Sequence, residues 1–114
     1  MKISLSCKQL SLEDTDRETV IRRLQFALSR FAPDIREVRV HGSDQNGPKG
    51  GIDKNCRVTV QLHGGGVVNV TDDDADFLVA ASRAADRTGR AVARMIERTS
   101  KPRNGVSMSG QNGT

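Results

Sequence analysis

Four stretches of this chain alternate apolar and polar residues one by one, and that alternation limits what it can become. In residues 2–8, Ile3, Leu5 and Cys7 alternate with Lys2, Ser4, Ser6 and Lys8. Residues 35–43 set Val38 and Val40 against Arg39 and His41, and residues 56–63 set Cys56, Val58, Val60 and Leu62 against Arg57, Thr59, Gln61 and His63. After Gly64-Gly65-Gly66, Val68 and Val70 alternate with Asn69 and Thr71. Successive side chains of a strand point to opposite faces, so each stretch reads as a strand with one apolar face. A sheet built from such strands buries one side and leaves the other polar and open.

Two helical segments supply the cover. The first has Thr15 and Glu18 at capping-box spacing, Asp14 and Asp16 near the positive end of the helix dipole, and Val20, Ile21, Leu24, Leu28 and Phe31 as its apolar face. Pro33 is expected to end it. The second is expected to be capped by Asp72 or Asp73, to run to about Thr99, and to stop before Pro102. The order β-α-β-β-β-α predicts an α+β domain of two layers, a four-stranded sheet with both helices on one face. The right-handed crossover rule makes the first two strands parallel neighbours if they pair directly. A chain of 114 residues supports one such domain, placed at residues 1–100, followed by a polar tail, 101–114, that is expected to be disordered.

Charge is unevenly distributed along the chain. The net charge is only +4, yet from Arg83 to Arg103 seven bases face only Asp86 and Glu97, while Asp72, Asp73, Asp74 and Asp76 crowd just before. Arg83, Arg87, Arg90, Arg94, Arg98 and Lys101 recur every three or four residues, which places them in one sector of a helix. The opposite sector carries Leu78, Ala81, Ala85, Thr88, Val92, Met95 and Ile96. A merely solvated face mixes signs at i,i+4, whereas like charges at that spacing repel, so this front points to an anionic partner. The stripe spans roughly 25 Å at 1.5 Å per residue and can follow several phosphates of a nucleic acid. A membrane surface fits worse, because the apolar side of the helix is committed to the sheet.

Catalytic chemistry is poorly supplied. His41 and His63 fall at outward strand positions with no orienting partner in view. The aspartate cluster lacks the spacing of an EF-hand, and Gly47 to Lys54 lacks the Gly-x-x-x-x-Gly-Lys-Ser/Thr pattern of a phosphate loop, leaving Lys49 and Lys54 as free contacts for phosphate. Cys7 and Cys56 read as reduced core residues of a cytoplasmic protein, a disulfide being possible only if they face each other. No cofactor, metal or enzyme activity is expected. With no Trp or Tyr, and no Phe in a strand, recognition should rest on charge and shape, which favours folded RNA over a single-stranded sequence. On the first helix Arg22, Phe26 and Arg30 stand four residues apart. Phe26 there either stacks on a base or sugar of the partner or packs against the neighbouring helix.

The loop from Ser43 to Cys56 carries a Ser-Asp, Asn-Gly, Lys-Gly-Gly, Asp-Lys and Cys pattern, and the last helix opens with Asp76-Phe77 followed by Asp86-Arg87. In these residues and in its element order the chain resembles the ribosome hibernation-promoting factor and ribosome-associated inhibitor family, over about residues 1–100. The resemblance implies a fold akin to the double-stranded-RNA-binding domain, lodged on the small ribosomal subunit in the channel where tRNA and mRNA sit, so that translation stops. It maps the RNA-contacting helix residues onto Arg83, Arg87, Arg90 and Arg94. Arg98, Lys101, Arg22, Arg30, Lys49 and Lys54 are the expected auxiliary contacts. Arg replaces the family's usual Lys, and Gly89 stands where a good helix former is usual, at a cost of roughly 1 kcal/mol to a helix interior. Long family members add a dimerisation domain, so with only a short tail this chain is expected to act as a monomer. The rival reading is an interaction module whose arginine face meets an acidic protein or another structured RNA.

Overall fold

The computed structural model describes residues 1–45 and 53–100, the last two by their backbone alone. Along the chain come β1 (Lys2–Lys8), α1 (Asp14–Leu28), a 3-10 turn (Ser29–Asp34), β2 (Ile35–Asp44), β3 (Lys54–Leu62), β4 (Val67–Asp74) and α2 (Phe77–Ser100). The strands form one sheet in the order β1-β2-β3-β4. β1 runs parallel to β2, as a crossover through α1 requires, and the other two pairings are antiparallel.

Register turns the alternation in the sequence into rows. Ile3, Val38, Val60 and Val68 stand opposite one another across the four strands, and so do Leu5, Val40, Val58 and Val70. α1 covers these rows with Val20, Leu24 and Leu28, and α2 with Phe77, Ala80, Ala81, Ala84, Ala85 and Val92, all buried. The other face carries Ser6 against His41, Thr59 against Asn69, and Asn55 against Asp73, each joined by a side-chain hydrogen bond.

A third row reads Cys7, Gly42, Cys56, Asp72. Both cysteines are free, and because β2 lies between their strands they are about 9.5 Å apart at ordinary strand spacing, beyond disulfide reach. Gly42 is in this row because the Phe77 ring lies on it: a Cβ there would sit 2.7 Å from Phe77 Cε1 and 3.1 Å from Leu10 Cδ2.

The helix termini differ from expectation in three places. α1 begins two residues earlier than a Thr15 cap would set it, with Glu13 at the cap position and no side-chain cap bond, so the Thr15/Glu18 box is not formed. Thr15 instead offers its carbonyl to the Thr19 hydroxyl, and Arg17 donates to the Leu5 carbonyl at 3.0 Å, tying the helix start to β1. At its other end α1 stops at Leu28 and tightens into the 3-10 turn, which contains Pro33. α2 is capped by Asp76, whose Oδ1 accepts the Leu78 amide at 2.9 Å, and not by Asp72 or Asp73, which belong to β4.

Replacing Gly42 with Ala is expected to push Phe77 off the sheet and destabilise the domain by about 1–3 kcal/mol, the usual cost of overpacking. Urea unfolding of the variant beside the wild type measures it.

Candidate nucleic-acid interface

α2 is exposed at Arg83, Arg87, Arg90, Arg94 and Arg98, so the periodic stripe exists as a physical face. It is not uniform along its length. Near the N-terminus of α2, Arg83 donates to Asp72 Oδ1 at 2.9 Å, to the Asp73 carbonyl at 2.7 Å and to Asp74 Oδ1 at 3.4 Å. Arg87 donates to the Thr71 carbonyl at 2.9 Å and to Asp72 Oδ2 at 3.1 Å. Asp72 and Asp74 continue the inward positions of β4 past the apolar rows, which is why their carboxylates reach α2 and not solvent. Hydrogen bonding from Arg83 first, with Arg87 adding to it, holds the Asp72 carboxyl below the usual aspartate range, against an opposing push from burial. The same pairing raises the Arg83 guanidinium.

Arg90, Arg94 and Arg98 form no ion pair among the described residues. Arg22 on α1 and Arg30 in the 3-10 turn after it are exposed as well, and the Arg30 guanidinium lies 4.8 Å from the Phe31 ring centroid. The two helices are joined by Arg23, which donates to Asp86 Oδ2 at 3.1 Å. They approach closely where Gly89 faces α1: a Cβ there would lie 3.1 Å from the Ala27 carbonyl oxygen. Phe26 is 83% exposed, so it does not pack against α2.

Lys54 sits differently from the arginines. It pairs with Asp53 at 3.0 Å and Asp44 at 3.3 Å, its side chain only 21% exposed, and hydrogen bonding to Asp53 raises its pKa. It therefore closes the end of the β2/β3 hairpin instead of standing free in the loop. Lys49 and Lys101 lie outside the described residues.

The pairs Arg83–Asp72, Arg87–Asp72 and Arg23–Asp86 escaped the sequence reading. The signal for the first two was present, since Asp72 and Asp74 keep the parity of Val68 and Val70. Nothing in the sequence singles out the third.

Among the described residues no group of three or more His, Cys, Asp or Glu side chains is placed to hold a metal ion. Burial pushes the Cys56 thiol up to about 12, which leaves it protonated and unreactive at neutral pH. No helix among the described residues is long and apolar enough to cross a membrane.

The domain is thus a small two-layer α+β module, β-α-β-β-β-α, with a strongly cationic front on α2 and a polar open sheet face. The chain belongs to the family described as sigma 54 modulation protein / S30EA ribosomal protein, whose sequence model matches residues 3–100. Among solved structures it is similar to the N-terminal domain of Protein Y from Thermus thermophilus, at 27% identity and a TM-score of 0.63, over 82% of this chain and 94% of that one. A ribosomal subunit interface protein from Coxiella burnetii shares the fold at 13% identity and a TM-score of 0.70, over 84% of this chain and 98% of that one. No curated protein sequence matches the chain.

Two outcomes follow from the titrating groups. A carboxylate whose pKa is lowered on folding stabilises the fold above its unfolded pKa, and that stability disappears as pH falls through the folded value. The acid limb of a stability curve should therefore be shallower in Asp72→Asn than in the wild type, as measured by thermal melts in acid. Cys56 should resist alkylation at pH 8 in the native protein and react once the chain is unfolded in urea, as mass spectrometry of the labelled peptides would record.

Proposed function

We propose that this protein binds the small ribosomal subunit through the exposed front of α2 and acts as a translation inhibitor of the hibernation type, occupying the channel that tRNA and mRNA use. The observation that carries the reading is the row Arg90, Arg94 and Arg98, three like charges at helical spacing with no ion-pair partner among the described residues, in a chain of a ribosomal-protein family. Holding them together unpaired costs stability, and an RNA phosphate chain offsets that cost. Arg guanidinium forks can grip phosphate oxygens bidentately, so each contact orients as well as attracts. Arg22 and Arg30 extend the same surface onto α1 and the 3-10 turn that follows it. Arg83 and Arg87 join it at one end, each already braced by Asp72, so that phosphate there must share the guanidinium with a carboxylate. In this reading Lys54 supports the loop end and Lys49 and Lys101 are outlying contacts. The protein acts as one copy per subunit, and its role is occlusion and needs no catalytic step.

The test is co-sedimentation of the purified protein with ribosomes and with separated subunits across a salt series. Arg90→Glu/Arg94→Glu/Arg98→Glu should stay at the top of the gradient with an unchanged melting temperature, because none of the three makes a described internal bond. The wild type should travel with the small subunit and weaken steeply with salt; replacing one of these arginines with Gln should lower the log–log salt slope by about one. Wild-type sedimentation by the triple variant would sink the assignment of this face.

A further inference from the structure

We infer that the Phe26 ring is a stacking platform for one unpaired nucleobase of a structured RNA, with the phosphates flanking that base held by Arg22 on α1, by Arg30 in the 3-10 turn after it, and by Arg90 and Arg94 on α2. The inference rests on the RNA-binding reading above and adds to it a site that reads an exposed base, where the arginines read only phosphate.

The starting point is a helix position that breaks the amphipathic rule. α1 buries Leu24 and Leu28 at 1% and 0% exposure, yet sets Phe26 out at 83%, one helical turn after the exposed Arg22 and shortly before Arg30, which is exposed in the 3-10 turn that follows α1. Phe31 and Phe77, the other two phenylalanines, both pack against the core.

The ring is the ridge between two hollows. One, of about 410 Å³, lies between the helices and is lined by Ala27, Arg30, Gly89, Arg90, Ala93 and Arg94 beside the ring itself. The other, of about 380 Å³, lies on the far side of the ring and is lined by Thr19, Arg22 and Arg23. Between its arginines the lining of the first includes the small residues Ala27, Gly89 and Ala93, which leave space for a flat group against the ring. Among the described residues Asp86 is the one carboxylate lining either hollow, and it pairs with Arg23 at 3.1 Å.

An apolar ring framed by guanidinium groups matches RNA better than protein. Protein docking surfaces are built round contiguous apolar cores, and the other exposed large apolar side chains described, Met1, Val67 and Val79, line neither hollow. A nucleobase presents a flat π-face with a phosphate on each side of it, and proteins that take splayed-out bases stack them on aromatic rings within basic grooves. Stacking is available to every base, so the site selects an unpaired nucleotide and not its identity.

The experiment uses the full chain and two RNA hairpins of equal length, one continuous and one carrying a single 2-aminopurine bulge. Binding is followed by anisotropy over a salt series, and stacking by quenching of the 2-aminopurine fluorescence. The wild type should prefer the bulged hairpin and quench it. Phe26→Ala should lose roughly tenfold or more in affinity for the bulged hairpin, together with the quench. Its affinity for the continuous hairpin and its salt slope should stay as they were, because no charge has been removed. Phe26→Trp should restore both preference and quench. The inference is overturned if the wild type shows no preference for the bulge, if Phe26→Ala binds it as the wild type does, or if the variant loses equally on both hairpins. It is also overturned if Phe26→Ala abolishes only a nuclease-resistant association, which would assign the ring to a protein partner. The two readings fail separately. A wild type that quenches the bulge yet never sediments with ribosomes sinks the ribosomal assignment alone, and one that sediments identically with and without Phe26 while showing no bulge preference sinks the base site alone.

Discussion

The seat of α2 on the sheet is the constraint from which the rest follows. Its buried side is made of Ala80, Ala81, Ala84, Ala85, Thr88 and Val92, mostly short side chains that let the helix lie low over β3 and β4. Thr88 is tolerated there because its hydroxyl donates to the Ala84 carbonyl at 2.7 Å, which leaves no buried donor unpaired. At the start of the helix, Phe77 lies over Gly42 and fixes the register of the whole element. With that side facing down, the geometry of 100° per residue leaves Arg90, Arg94 and Arg98 no choice but to face outward. The outward direction of the charged front is thus a consequence of core packing.

Electrostatics then divides that front. Five like charges along one face repel, and the protein relieves the strain at one end only. Asp72 accepts from both Arg83 and Arg87, and Asp74 adds a weaker contact to Arg83, so about half of the stripe is neutralised from within. These are partly exposed pairs, with arginine side chains near half exposure, and solvent screening limits what they add to stability. Their effect is on shape: they comb two long side chains into place beside a strand. At the other end Glu97 is exposed but forms no ion pair with an arginine among the described residues, and the uncompensated potential is concentrated there and continues across Gly89 onto α1.

Much of this was legible in the residues, and the failures have physical reasons. Period-two alternation gave the four strands, and β1 and β2 pair in parallel as the crossover rule requires. The helix caps were harder, because the run from Asp72 to Asp76 offers several aspartates able to cap. Only the register of β4, which extends to Asp74, decides that Asp76 does so. Lys54 looked like a loop cation, yet the β2/β3 register sets it opposite Asp44, and a pairing across a long hairpin connection has no local signature. Gly89 reads in sequence as a weak point of the helix. In space it is where the two helices touch, a tertiary demand that overrides propensity. Phe26 could not be assigned from periodicity alone, since an outward aromatic and an interhelical one occupy the same helical sector until the angle between the helices is known.

The position along α2 of the arginines without an ion pair among the described residues bears on how the proposed surface would meet an anion. Helix N-termini attract phosphate through unpaired amides and the positive end of the dipole, but here that end is already occupied by carboxylates: Asp76 accepts the Leu78 amide and Asp74 accepts that of Asp76 at 2.8 Å. The unpaired guanidinium groups lie in the second half of the helix, toward the negative end of the dipole. Backbone electrostatics therefore contributes nothing favourable to a polyanion at this surface, and its influence fades within the last turn in any case. Attraction must come from side chains that project beyond the backbone, and that favours arginine, with its long stem and fixed fork, over shorter or more compact donors. In the proposed reading, such a surface would suit a phosphate chain running along the helix better than a single phosphate at its tip, which is the extended anion that a folded RNA strand presents.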